Sequence, residues 1–98
     1  MVSYNMAYPV ECVNTDDSSA YNDCRCITTI GIPSKGGGVN TYTPERIHDR
    51  IKEEDEEFFV EHEGSRTYLD AVTDGSTKYV RTESNDTTED NLLKQPSC

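Results

Sequence analysis

The chain has 98 residues, with 19 acidic against 9 basic side chains and a formal net charge of −10. A chain of this length folds as one domain around a small core. The acidic charge repels phosphate backbones, so we expect no direct nucleic-acid binding and look for cationic or neutral partners. No stretch has the apolar length of a membrane span or the pattern of a secretory leader, which predicts a cytoplasmic protein without membrane contact.

The charge also bears on the solvent in which the protein works. An acidic excess combined with only four lysines resembles the composition of proteins from salt-loving archaea and their viruses, where carboxylates keep the surface hydrated. An ordinary soluble acidic domain is the alternative interpretation. The sequence leaves both open.

The N-terminal part of the chain differs from the rest in composition and periodicity. Residues 1–23 mix tyrosine, asparagine, aspartate and serine without a period, which predicts a partly flexible arm with one short strand at residues 9–13. A single domain is predicted over residues 24–98. Its first strand is expected at residues 24–32, which are rich in β-branched side chains, and three glycines at 36–38 predict a mobile loop after it.

One helix is predicted in the middle of the chain. Thr43 can accept hydrogen bonds from the first free amides, and Pro44 suits the first helical position. Ile47 and Ile51 lie four residues apart and supply a narrow apolar stripe. The acidic run at 53–57 opposes the helix dipole, so the helix should end there.

Three strands are predicted after the helix, joined by two tight turns. Asp74-Gly75 is a strong hairpin signal, whereas the earlier turn lies on either Glu63-Gly64 or Gly64-Ser65. Both registers leave every side chain on the same face. The predicted fold is therefore α+β, with a small antiparallel sheet of about four strands and one helix on one of its faces.

The two faces of this sheet differ in character. The face that suits the helix carries Phe58, Val60, Leu69, Ala71 and Val80. The other face carries Phe59, Glu61, Tyr68, Asp70, Tyr79 and Arg81. No helix remains to cover the second set, so we expect a second subunit, the N-terminal arm or a ligand to do so.

Residues 84–98 are predicted to form an ordered C-terminal latch. Thr88 can cap a short turn, after which Leu92 and Leu93 fold back over one end of the core and Pro96 stops the turn. The same segment resembles the Domain of Unknown Function 3892 family of small bacterial, archaeal and viral proteins. The matching residues are Tyr79, Arg81, Thr82, Asp86, Asn91, Leu92, Leu93 and Pro96. The resemblance implies a compact fold with no known activity, and a glycine is expected where this chain has Asp55.

No metal, cofactor or catalytic site is predicted. Cys24 and Cys26 stand two residues apart, which is not the spacing of a zinc knuckle, so buried or free thiols are favoured over zinc or disulfides. Whether these two and Cys12 and Cys98 are free, metal-bound or disulfide-bonded stays open. The two histidines are expected at the surface, with no nucleophile placed beside them. The sequence thus predicts a protein that is not an enzyme.

The mixed aromatic and charged face is the candidate binding surface, because aromatics and arginine are typical of binding hot spots. The candidate binding residues are Phe59, Tyr68, Asp70, Tyr79 and Arg81 on this face, together with Arg66 and Lys78 nearby. The alternative is a solvated sheet face on which Arg81 neutralises Asp70.

The leading hypothesis for function is a non-enzymatic, homo-oligomeric binding module of a virus or mobile element. It would antagonise host defence by holding a nucleotide-like anion between subunits, although the net charge opposes this. One alternative is an acidic DNA mimic that occupies a basic protein. Another is a structural protein of a halophilic archaeon or its virus.

Overall fold

The computed structural model describes residues 7–84 and 86–98. Within them, one α-helix and eight strands in three small sheets give an α+β arrangement. The elements are β1 Ala7–Pro9, β2 Cys12–Thr15, β3 Ile27–Pro33, β4 Val39–Tyr42, α1 Pro44–Glu53, β5 Glu57–His62, β6 Ser65–Tyr68, β7 Asp70–Asp74 and β8 Thr77–Arg81, with 3₁₀ turns at Cys24–Cys26 and Asn91–Lys94. Over these residues, every helix is too short and too polar to cross a bilayer.

The strands are divided among three sheets instead of the one four-stranded sheet that was predicted. One sheet has the order β1-β5-β6, with β1 parallel to β5, and a second has the order β2-β3-β4. The third is the β7–β8 hairpin, against which α1 packs. The division occurs at Leu69, whose side chain is buried and whose N–H donates to the carbonyl of Phe58 at 2.8 Å. Leu69 belongs to neither strand, and β6 and β7 on its two sides join different sheets.

The segment predicted as an arm contributes two strands to these sheets. β1 pairs with β5, and β2 pairs with β3. Residues 1–6 lie outside the described part of the chain. The strand expected from residue 24 begins only at Ile27, because Asp23 accepts the N–H of Arg25 at 3.0 Å and caps a 3₁₀ turn over Cys24–Cys26.

The predicted helix is confirmed, with Thr43 as its N-cap and Pro44 at its first position. The Thr43 hydroxyl accepts the N–H of Arg46 at 3.2 Å, and Ile47 is fully buried. The helix ends at Glu53, within the acidic run as expected. Asp55 then has a φ of 54°, the left-handed conformation that favours glycine and tolerates aspartate.

The core face of the predicted sheet is confirmed. Phe58, Val60, Leu69 and Val80 are buried, and Ala71 packs against them. Both tight turns exist. His62 pairs with Ser65, which places the first turn on Glu63-Gly64, whereas Asp74 pairs with Thr77, so the second turn lies on Gly75-Ser76, one residue beyond its predicted place.

The C-terminal segment contains a short turn with one buried leucine. Asp90, and not Thr88 as predicted, is the N-cap of the Asn91–Lys94 turn. Asp90 is fully buried, and its carboxylate accepts the backbone N–H groups of Thr82, Glu83 and Leu92 at 2.9, 3.0 and 2.9 Å, together with the Thr82 hydroxyl. Four donors satisfy this buried carboxylate, which explains why it caps the turn. Leu92 is fully buried and Leu93 is half-buried against the core.

A disulfide joins Cys12 on β2 to Cys98. On the sequence alone, disulfides were less favoured than free thiols. The two sulfurs lie over Gly31, the residue of β3 that pairs with Cys12. A Cβ at position 31 would come within 2.3 Å of the Cys12 sulfur and 2.9 Å of the Cys98 sulfur. Only glycine therefore leaves room for the disulfide at this position of β3.

Candidate functional site

The seven residues of the predicted binding surface fall into two groups on different sheets. The first group, on β5 and β6, comprises Phe59, Arg66 and Tyr68. The second group, on the β7–β8 hairpin, comprises Asp70, Lys78, Tyr79 and Arg81. The division at Leu69 separates them, so they do not share one sheet as predicted.

Tyr79 is covered by the chain itself. Its side chain is buried, and the Cys24–Cys26 turn packs against its strand. The phenol donates to Asp86 Oδ1 at 2.7 Å. Burial, reinforced by the Asp86 carboxylate, raises the pKa of Tyr79 to about 12. A ring held in this way has no open face on which a ligand could stack.

Arg81 is also engaged within the protein. Its Nη1 donates to Asp86 Oδ1 at 2.7 Å and its Nη2 donates to the carbonyl of Ser84 at 3.1 Å. Asp70 lies directly opposite Arg81 in the hairpin register, yet the guanidinium contacts Asp86 and does not neutralise Asp70 as the alternative interpretation expected. The hydrogen bond from Tyr79, followed by that from Arg81, lowers the pKa of Asp86.

A second arginine, Arg25, reaches this network at Asp86, whose Oδ2 lies 3.9 Å from its Nη2. Arg25 donates from Nε and Nη2 to the two carboxylate oxygens of Asp23 at 3.0 and 2.7 Å, and its Nη1 lies 3.3 Å from Asp74. The guanidinium also covers the ring of Tyr21 at 4.0 Å. Each arginine of the network has a carboxylate partner, and there is no excess positive charge to attract an anion.

The group on β5 and β6 forms a small surface cluster. Arg66 stacks over the ring of Phe59 at 3.9 Å, and Phe59 and Tyr68 have ring centroids 5.8 Å apart. Phe59 is buried beneath them, while Tyr68 is 44% exposed. Because Arg66 also pairs with Glu61 at 3.1 Å, this cluster too carries no net positive charge.

Lys78 lies on the other face of the hairpin, beside the helix. Its Nζ is 3.1 Å from Asp49 Oδ1. Next to it His48 is buried, contrary to the prediction of a surface residue, with Nε2 3.1 Å from the Thr73 hydroxyl and Nδ1 3.2 Å from Asp49. These contacts join α1 to β7 and β8, which indicates a structural role.

The structure contains a cationic cleft that sequence reasoning missed. It measures about 350 Å³ and lies between β1, the β3–β4 loop and α1. Its lining residues are Tyr8, Ile32, Pro33, Ser34, Lys35, Asn40, Tyr42 and Arg50. Two of these are cations and none is acidic, although the whole chain has a net charge of −10.

Arg50 lines this cationic cleft and lies close to aromatic rings. Its guanidinium lies 5.1 Å from the ring centroids of both Tyr8 and Tyr42 and 5.0 Å from that of Phe58. Nε and Nη2 donate to Glu56 at 2.6 and 2.9 Å. This pairing raises the pKa of Arg50 and lowers that of Glu56, so both groups are held charged. The pair fixes the guanidinium between the tyrosines.

One signal for the cleft was present in the sequence. Tyr42 immediately precedes the cap residue Thr43, and Ile47 follows at the fourth helical position, which is the pattern of a hydrophobic staple. Ile47 belongs to the core and Tyr42 packs against that core. This pattern would have placed Tyr42 beside the start of the helix.

The remaining thiols are buried. Burial, with the carboxylates of Asp90 and Asp23 nearby, raises the pKa of Cys24, and burial also raises that of Cys26. Protonated thiols are poor nucleophiles and poor metal ligands. Across residues 7–84 and 86–98, no three metal-ligating side chains converge.

No protein-family model, curated protein or solved structure matches this chain. The resemblance to the Domain of Unknown Function 3892 family therefore stays a prediction. Several of its motif residues lie in structural networks here. Tyr79 and Arg81 bind Asp86, Thr82 binds Asp90, and Leu92 is in the core.

Proposed function

We propose that the protein is a non-enzymatic binding module for a small anion that carries an aromatic ring, such as a nucleotide, and that the ligand occupies the cationic cleft. The observation that carries the proposal is the lining of this cleft, which has two cations and no carboxylate in a chain with a net charge of −10. Anions are repelled from most of such a surface, so a local positive site is where one would bind.

The chemistry of the lining suits both parts of such a ligand. Tyrosine rings offer faces on which a base can stack, an interaction worth about 1–3 kcal/mol per base. Tyr8 and Tyr42 are half-buried at the cleft, and the backbone loop that carries Lys35 forms one wall. A cleft of about 350 Å³ is at the lower end of the range for small-molecule sites. The proposed ligand therefore contacts Tyr8, Tyr42 and Lys35, and not the candidate binding residues Tyr79 and Arg81.

Lys35 is the residue on which the charge argument depends most. Arg50 is already paired with Glu56, which neutralises much of its field. Lys35 is exposed and has no ion-pair partner among residues 7–84 and 86–98. It is therefore the cation available to meet a phosphate, while Arg50 holds the tyrosines in place.

The test is binding of a nucleotide panel by isothermal titration calorimetry, with Lys35→Glu as the key variant. Lys52→Glu, on the exposed side of α1, is the matched control because it changes the net charge equally. We expect Lys35→Glu to weaken nucleotide binding at least about tenfold, or 1.4 kcal/mol, and the control to retain binding. Equal weakening in both variants would mean that only the overall charge matters, and absence of binding by the wild type would refute the proposal.

Two fragments of the ligand separate the contributions of ring and charge. A nucleoside tests stacking alone, and inorganic phosphate tests the cations alone. We expect both to bind more weakly than the nucleotide, and only phosphate binding to respond to Lys35→Glu.

The biological role that we attach to this binding is sequestration of a signalling anion by a viral or mobile-element protein. The DNA-mimic alternative is less well supported, because part of the acidic run after the helix is occupied internally. Glu54 pairs with Arg46 at 2.9 Å and Glu56 pairs with Arg50. These carboxylates are less available to a basic partner than the sequence suggested.

Two further features belong to this proposal. The segment of residues 84–98 acts as a latch that closes the core, supported by the buried Leu92 and Asp90. The Cys12–Cys98 disulfide favours an oxidising environment over the reducing cytoplasm expected from the sequence, since cytosolic thiols are kept reduced.

A further inference from the structure

The free edge of β4 differs from the other sheet edges in having no protection against strand pairing. Edge strands usually carry charged side chains or proline that discourage pairing with another chain. Residues 36–43 carry neither. By contrast, β6 carries Arg66, β1 carries Pro9, and on β2 the N–H of Val13 already donates to the carbonyl of Pro96 at 2.9 Å.

The backbone of β4 presents unpaired groups along this edge. Glu11 N–H donates to the carbonyl of Gly31 at 2.9 Å, so the polar groups of Gly31 point toward β2. Gly31 pairs with Thr41, and the alternation of antiparallel ladders then directs the N–H and C=O of Thr41 away from β3. Two residues earlier, Val39 has the same orientation. Both residues can pair with an added strand.

The side chains of the same two residues lie beside an apolar groove. This groove of about 430 Å³ is lined by Val39, Thr41, Pro96 and the Cys12–Cys98 disulfide, with Glu11 as the one charged residue. Val39 is 41% exposed there. Added backbone pairing along β4 would therefore be accompanied by burial of apolar surface.

We propose that β4 pairs antiparallel with β4 of a second copy of the chain, around a two-fold axis at Asn40. This register places Val39 of one copy opposite Thr41 of the other, and the outward groups of both residues then form the hydrogen-bonded pairs. The edge is thus self-complementary, as a two-fold interface requires. A second copy is also acidic, so it approaches most easily where carboxylates are few. Residues 36–43 carry none, and Glu11 is the one acidic side chain at the adjoining groove.

This pairing has a consequence for the cationic cleft. Asn40 lines the cleft, so the axis places the clefts of the two copies side by side. The association itself does not rest on ligand binding and is measured without ligand.

The first test is the mass of the ligand-free protein by sedimentation equilibrium over a range of concentrations, at low and at molar potassium chloride. We expect a dimer of the 11.0 kDa chain, favoured at high salt because screening weakens the repulsion between two acidic copies. Val39→Lys should abolish it by placing a charge on the edge. Ser65→Lys, exposed on β6 with the same change of charge, should leave it unchanged.

The second test is a cross-link and does not depend on the Val39→Lys variant folding. Opposite residues of a non-hydrogen-bonded antiparallel pair have Cα atoms about 4.5 Å apart, within the range that a disulfide bridges. Asn40→Cys should therefore form a covalent dimer in mild oxidant, whereas Ser65→Cys should not. A wild type that stays monomeric at high concentration in molar salt would overturn the proposal and leave the edge to a strand of another protein. A dimer that persists in Val39→Lys and that Asn40→Cys does not cross-link would also overturn the proposal.

Discussion

The hydroxyl of Tyr79 donates to Asp86 Oδ1 at 2.7 Å, and Arg81 donates to the same oxygen at the same distance. One carboxylate thus holds the two residues that looked most like a ligand site in the sequence. The contact gives them a structural role, and each of their interactions has a measurable contribution to stability.

The first prediction concerns the hydroxyl of Tyr79. Tyr79→Phe removes one buried hydrogen bond and keeps the ring, so we expect a loss of about 1 kcal/mol in the free energy of unfolding, measured by urea denaturation. Tyr68→Phe changes an exposed ring and should stay within about 0.5 kcal/mol of the wild type. If the two variants are equally stable, Tyr79 is not held by Asp86 as described.

The second prediction concerns the buried carboxylate of Asp90. Asp90→Ala leaves three backbone N–H groups and the Thr82 hydroxyl without their acceptor. Unsatisfied buried donors cost about 1–3 kcal/mol each, so we expect a loss of at least about 3 kcal/mol. The exposed Asp17→Ala serves as the control in the same denaturation series. A loss below 1 kcal/mol, roughly one ordinary hydrogen bond, would argue against this network.

The third prediction tests the C-terminal latch with two adjacent residues. Leu92→Ala empties a fully buried position and should lower the free energy of unfolding by about 2–5 kcal/mol. Leu93 is half-buried, so Leu93→Ala should lower it clearly less. Point variants are preferable to deletion of residues 91–98, because deletion also removes the disulfide. Equal effects of the two variants, or no effect of either, would contradict the latch.

The fourth prediction concerns the disulfide, which joins residues 86 positions apart. A loop of this length restricts the unfolded chain strongly, and we expect the Cys12→Ser, Cys98→Ser double variant to lose about 4 kcal/mol. Alkylation of the denatured wild type should label Cys24 and Cys26 only, which establishes that the bond is present. Labelling of all four cysteines in protein purified without reductant would show that it does not form.

The fifth prediction concerns pH. Hydrogen bonding to Arg50 lowers the pKa of Glu56 in the folded protein below its ordinary value of 4.5. The resulting stability is present above the pKa of the unfolded chain and is lost as the pH falls through the folded-state pKa. Asp23 and Asp86, whose pKa values are also lowered, act in the same direction.

We therefore expect unfolding free energy to decrease as the pH is lowered below about 4.5. Glu56→Gln should be less stable than the wild type at pH 7, and the difference should shrink in acid. A difference that stays constant down to pH 2 would mean that the Arg50–Glu56 pair does not contribute through its charge.

Local patterns predicted the elements that depend on neighbouring residues. The cap at Thr43, Pro44 in the first turn of the helix and the core face of β5 all follow from short-range chemistry, and the structure confirms them. A tight turn at Gly64 was also predicted, and the structure selects Glu63-Gly64 from the two registers that the sequence allowed. The division into three sheets could not be predicted in this way. It depends on Leu69 turning into the core and on β1 and β2 pairing with distant strands.

The sites were harder to predict than the fold, for the same reason. The alternation along β8 correctly placed Tyr79 and Arg81 on one face, but their cover comes from the Cys24–Cys26 turn, far away in sequence. The cationic cleft joins Tyr8 in β1 to Lys35 in a loop and Arg50 in the helix. No residue spacing in the sequence indicates that these distant segments come into contact.

The disulfide also determines how the protein would respond to mechanical force. Cys12 and Cys98 close a covalent ring that contains the helix and all strands from β2 onward. Tension applied to the chain outside these two positions would pass through the sulfur–sulfur bond and bypass the strands within the ring. Of the described elements, only β1 would be pulled away, and the cationic cleft would lose Tyr8 with it. The rest of the fold would carry no force. Reduction of that single bond would turn a chain that resists extension into one that unravels under load.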